Sequence, residues 1–167
     1  MTLLDTPFDD ARANPLDRLE KIVAANQWPF EREGEDEMTF SIGGSQAHYH
    51  LWFGWHPDMG ALELRCAIDV AVPVRRFTEV AEVLTRINTE LWLGHFDCDP
   101  GEPGIVFRHT LLSAGATALQ AAELETLVEV AIASCERCYP AFMLLLWGGK
   151  APRDAVAAAM LETIGEA

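Results

Sequence analysis

Cys135-Glu-Arg-Cys138 has the two-residue gap used by dithiol redox enzymes and by half of a zinc site. Redox chemistry needs the pair at a helix N-terminus, where the helix dipole lowers the thiol pKa. Here the pair comes late in a helical stretch, at the opposite end of that dipole, and Cys135 lies on its apolar stripe. Zinc needs two further ligands, and Cys66 and Cys98 form no second CxxC. All four cysteines therefore read as structural thiols. His48-x-His50 sets two imidazoles on one face of a strand, which suits a metal, and His56, His95 or His109 could add to them. No carboxylate or thiol is placed with them by spacing, so surface or packing histidines are the simpler reading. Asp97-Cys-Asp99-Pro-Gly opens like a calcium loop, but the position that should hold a bidentate acid is Arg108. Gly148-Gly149-Lys150 lacks the remaining glycine and the hydroxyl of a phosphate loop, since those places hold Leu144 and Ala151. None of Ser41, Ser45, Ser113 and Ser134 sits in a nucleophile elbow. The residues supply no catalytic apparatus, and neither an enzyme nor a cofactor is expected.

Apolar and aromatic surface is what remains. Five tryptophans in 167 residues is a high number, and Trp is favoured at interfaces because it adds large contact area at low entropy cost. Trp52 falls on the strand face opposite Tyr49 and Phe53, and Trp147 ends a segment with no polar side. Trp52, Phe142, Leu145 and Trp147 are accordingly the expected partner or dimer surface. The alternative is that a second layer or the last helix covers them inside the monomer.

The elements that must position these residues follow from periodicity. Residues 1–13 are polar and irregular and read as a flexible tail, leaving one domain over 14–167. Asn14-Pro15 opens a helix carrying Leu16, Leu19, Ile22 and Val23, ended by Pro29. The period then changes to two. Tyr49, Leu51, Phe53 and Trp55 share a strand face, as do Leu62, Leu64, Cys66, Ile68 and Val70. Met38–Ile42 is a shorter strand, with Phe30–Glu33 a possible fourth through the Gly34 turn. A helix from Pro73 is expected to stop at Gly94, followed by strands at His95–Cys98 and Ile105–Leu112. Thr117 should cap a long helix with Leu124, Leu127, Val128, Ala131 and Cys135 on its stripe, broken or kinked at Pro140. Gly148-Gly149 stops it, and Pro152 starts a last Ala-rich helix. The order α-β-β-β-α-β-β-α-α predicts an α+β fold, an antiparallel sheet with helices packed on one face.

Twelve basic against twenty-six acidic residues give a net charge of −14. Such a chain lacks the basic patch that nucleic acid or an anionic membrane requires, so neither is an expected partner. The longest strongly apolar run, Ala141–Trp147, is far short of a membrane span. The first residues lack a secretory signal pattern, and unpaired cysteines suit a reducing compartment, which makes the cytoplasm the expected location.

Four blocks carry a resemblance: Asn88-Thr-Glu-Leu-Trp-Leu-Gly-His-Phe-Asp97, Phe107-Arg-His109, Cys135-x-x-Cys-Tyr-Pro-Ala-Phe142 and Leu146-Trp-Gly-Gly149. Together they resemble the signature of the YbjN family of bacterial proteins, over most of the chain from about Leu16. The resemblance implies a fold like that of type III secretion chaperones and the role of a sensory or stress-related regulator. It brings no catalytic or ligand residues with it. It also groups Trp92, Gly94, His95, Phe96, Asp97, His109, Tyr139 and Pro140 at the junction of the second helix, the next strand and the third helix. Chaperones of that fold are acidic dimers that hold extended client segments on apolar surface. By that analogy the chain is expected to be a non-enzymatic, homodimeric, adaptor- or chaperone-like protein with a polypeptide partner. A small-molecule or metal-binding sensor is the alternative.

Overall fold

The computed structural model describes residues 13–113 and 118–164. The expected tail, Ala13 excepted, and the expected cap Thr117 lie outside the described residues. Asn14 caps α1 (Pro15–Ala25), its Oδ1 accepting from the Leu16 amide at 2.9 Å. Four strands then run as a meander: β1 (Phe30–Glu33), β2 (Glu37–Gly43), β3 (His48–His56) and β4 (Ala61–Ile68). A short 3-10 turn, Val74–Arg76, leads into α2 (Phe77–Asn88). The hairpin β5 (His95–Asp99) and β6 (Glu102–Leu112) follows, then α3 (Ala121–Leu146) and α4 (Pro152–Ile164). This is the expected α+β order with β1 added at the start of the meander.

All strands pair antiparallel, in the order β1-β2-β3-β4-β6-β5. Alternation sends Met38, Phe40, Tyr49, Leu51, Phe53, Trp55, Leu62, Leu64, Cys66, Ile68, Phe96, Ile105 and Phe107 to one face, where all are buried. The helices pack on this side: α1 and α3 lie against the sheet, α2 against β5, and α4 against α2 and α3. Two aromatic groups knit the layers. Phe40 stacks between Trp28 and Phe53 at 5.9 and 5.7 Å, while Phe96 meets Phe107 and Phe142 edge-on at 5.4 and 5.7 Å.

Three expectations about the helices change. α2 ends at Asn88, well before Gly94, because its first loop turn is closed by Thr89 and Glu90 bonding back to Ile87. Gly94 instead stands at the entrance to β5 with φ +69°, where a Cβ would collide with the Phe107 ring. α3 is capped by Gln120, in a capping box with Glu123, whose carboxylate accepts the Gln120 amide at 2.8 Å. It then passes through Pro140 as one helix rather than breaking there. The proline removes the amide that would bond the Glu136 carbonyl, but Leu124, Leu127, Val128, Ala131, Cys135, Cys138, Ala141, Phe142 and Leu145 continue one buried stripe across it. Packing outweighs the local loss.

Candidate partner-binding site

The sheet's second face carries no helix among the described residues. Its side chains stand in rows set by the strand register. Glu31, Thr39, Trp52, Arg65, Arg108 and His95 are directly opposite one another across the six strands. Ser41, His50, Ala67, Val106 and Asp97 form the neighbouring row. All of them but His95 and Asp97 line an open groove of about 610 Å³, with Phe30 at the β1 rim and Glu102 on the far side.

Trp52 is the centre of the first row. Its Nε1 donates to the Glu37 carboxylate at 3.1 Å, and the Arg65 guanidinium lies over its ring, 4.7 Å from the centroid. Arg65 Nε donates to Glu63 at 2.7 Å, and His56 Nε2 sits 3.5 Å from the same carboxylate. Burial opposes ionisation of Glu63, but Arg65 and His56 together hold its carboxyl below the ordinary value. Arg108 Nε approaches the Asp97 carboxylate at 3.3 Å as an ion pair without hydrogen-bond alignment. Ser41 and His50 share a hydrogen bond of 2.9 Å. Gly54 makes room for this arrangement: a Cβ there would collide with the far edge of the Trp52 indole, which lies flat along its own strand. The face offers an aromatic plate flanked by cations already held in place.

Sequence expectations divide here. Trp52 is half-buried on the open face, and Trp147 is 65 % exposed at the end of α3. Phe142 and Leu145, expected on the same surface, are each 0 % exposed. Both belong to the buried stripe of α3, with Phe142 against Phe96, so they are core and cannot receive a partner. Trp52 and Trp147 lie in different layers and do not form one patch.

Of the expected junction residues, Phe96 and Asp97 meet neighbouring elements. The Asn88 amide side chain bridges the backbone of Phe96, accepting from its N–H at 2.7 Å and donating to its carbonyl at 3.0 Å. Phe96 packs into the aromatic cluster, Asp97 pairs with Arg108, and Tyr139 is half-buried on the core's edge. Pro140 is half-buried, and Trp92 is 90 % exposed. His109 is pushed below its ordinary pKa by burial and by the nearby His95. Asn88, Phe96 and Phe142 are the contacts that join α2, β5 and α3 here.

His48 and His50 share a strand face, yet no group of three or more metal-binding side chains occurs among the described residues. The structure brings together one pair that spacing does not indicate: Cys66 on β4 and Cys135 on α3, with Sγ atoms 3.7 Å apart in the core. Contact with Cys66 and burial push the Cys135 thiol far up, and burial pushes Cys138 up to about 12. Both are held as neutral thiols at any physiological pH. The Arg65–Trp52 stack was also invisible beforehand, because it depends on cross-strand register.

Comparison with known proteins adds the following. The pattern of one family, YbjN, described as “Putative bacterial sensory transduction regulator”, matches residues 15–143. The chain belongs to the YbjN family. The matched stretch runs from the start of α1 into the last turns of α3, so it takes in the whole sheet and leaves α4 outside. Among solved structures, the chain is similar to the crystal structure of YbjN, “a putative transcription regulator from E. coli”, at 10 % identity and a TM-score of 0.49. That alignment covers 90 % of this chain and 92 % of the other. No curated protein sequence matches. No helix among the described residues is long and apolar enough to cross a membrane.

Proposed function

We propose that this YbjN-family chain is a non-enzymatic regulatory module that binds an extended polypeptide segment on the helix-free sheet face. The observation that carries the reading is the cross-sheet row Thr39–Trp52–Arg65–Arg108, in which an aromatic plate and two guanidinium groups line an open groove. Trp and Arg are the side chains that most often anchor protein interfaces. Regulation is what the family is described for, and an adaptor without catalytic groups suits that description. Four unpaired, buried cysteines favour a cytoplasmic location. Exposed Trp92 and Trp147, away from the groove, favour a homodimer contact separate from the client site.

The test is capture of partners from a native bacterial extract by the wild type and by Trp52→Glu, quantified side by side, with light scattering on both. Trp52 is half-exposed, so the variant should melt within about 2 °C of the wild type. The expected result is loss of a stoichiometric protein partner with the oligomeric mass unchanged. Equal capture by a folded Trp52→Glu variant would overturn the reading.

A further inference from the structure

We infer that the segment bound on the open sheet face carries one acidic side chain two residues from an apolar one. The carboxylate bridges Arg65 and Arg108, and the apolar side chain rests beside Trp52. This rests on that face being the binding surface, and adds the chemistry of what it takes.

The first support is a like-charge pair. Arg65 on β4 and Arg108 on β6 are directly opposite in register. Like charges at such positions are destabilising, and this chain has only twelve basic residues to place. Both guanidinium groups are also short of partners. Arg65 donates through Nε to Glu63, while its Nη groups meet no acceptor among the described residues. Arg108 pairs with Asp97 at 3.3 Å without alignment, and its guanidinium donates no hydrogen bond to a described residue although its side chain is only 30 % exposed. An anion between the two would relieve the repulsion and take up the idle donors.

The second support fixes which anion. A carboxylate has two oxygens, one for each guanidinium, and a single charge. A phosphate dianion would bring two charges to a site that already holds Glu63 and Asp97. The net charge of −14 repels a run of acids at long range, so a lone acid in a neutral segment is the better fit. Spacing supplies the rest. The midpoint between β4 and β6 lies about one and a half strand spacings from Trp52 on β3, or roughly 7 Å. Residues i and i+2 of an extended chain are also about 7 Å apart and face the same side.

The test pans a display library of random octapeptides on the immobilised full chain, on Trp52→Glu and on Arg65→Gln/Arg108→Gln, each checked for folding by thermal melt. Peptides enriched by the wild type should carry Asp or Glu two positions from an aromatic or aliphatic residue, and Trp52→Glu should not retain them. One enriched peptide is then synthesised beside a copy whose acid is replaced by its amide. The amide copy should bind the wild type about tenfold more weakly, the size of one charge-assisted hydrogen bond. The two peptides should bind Arg65→Gln/Arg108→Gln alike. The comparison on the wild type changes the peptide alone, so it holds whatever the arginine variant does. Equal binding of the two copies to the wild type overturns the inference. Enriched peptides without an acid that are lost with Trp52→Glu overturn it too, and leave the face standing as the binding surface. No enrichment, or enrichment indifferent to Trp52→Glu, overturns both readings.

Discussion

Trp52 lies flat along β3 because residue 54 is glycine, and its position under Arg65 follows from that single missing Cβ. Gly54→Ala should lift the indole, weakening both the Glu37 hydrogen bond and the cation–π contact. The displaced atoms are the exposed end of one side chain, so folding stability should change by no more than about 1 kcal/mol. Tryptophan emission, compared with a Trp52→Phe background, should shift towards that of solvated indole, and partner binding should weaken with it. Unchanged emission would show that the ring lies elsewhere. Such details explain what was and was not readable beforehand. The side of the sheet that Trp52 occupies follows from alternation with Tyr49 and Phe53. Its partners do not, because Arg65, Glu37 and Arg108 become neighbours only once strand register is set. Phe142 and Leu145 failed for a related reason: in a segment apolar all round, the sequence does not say which side the sheet covers.

Helix α3 shows how packing overrides a local signal. Its stripe from Leu124 to Cys135 was legible from spacing, and Pro140 was equally legible as a break or a kink. The break does not occur, because Cys138, Ala141, Phe142 and Leu145 bury the far half against the sheet and α2. A helix-interior proline costs about 3 kcal/mol in the absence of compensation, through the lost hydrogen bond and the steric clash. Pro140→Ala should therefore stabilise the protein by about 1–3 kcal/mol, raising Tm on the order of 5 °C in a thermal melt. A lower Tm would mean that the proline's bend is what seats Phe142 beside Phe96. Strand β1 is the converse case. Phe30-Glu-Arg-Glu33 has almost no apolar pattern because it is an edge strand with exposed side chains, so only the Gly34 turn hinted at it.

On acidification three perturbed groups, His109, Glu136 and Glu63, act in one direction, and the net charge acts in the other. His109 is held below its ordinary pKa by burial and His95, so the unfolded chain takes up its proton first. Its contribution to stability is lost as pH falls from about 6.5 towards the folded value. Burial of Glu136 opposes ionisation, but hydrogen bonds from the Ser45 hydroxyl and the Gln46 amide hold it below the ordinary carboxylate range. Glu63 is held low by Arg65 and His56. Stability from these two is present above about pH 4.5 and lost as pH falls through their folded values. Glu136 matters beyond itself, since it clamps the turn between β2 and β3 onto α3. Against these losses, acidification removes the self-repulsion of a chain with net charge −14. Salt separates the two effects, because repulsion between exposed charges is largely screened beyond about 8 Å at 0.15 M ionic strength, while buried groups are screened much less. In melts at high salt, Tm should fall in two stages on acidification, one below about pH 6.5 and one below about pH 4.5. His109→Gln should abolish the first stage and leave the second. If the first stage persists in that variant, a group other than His109 carries it.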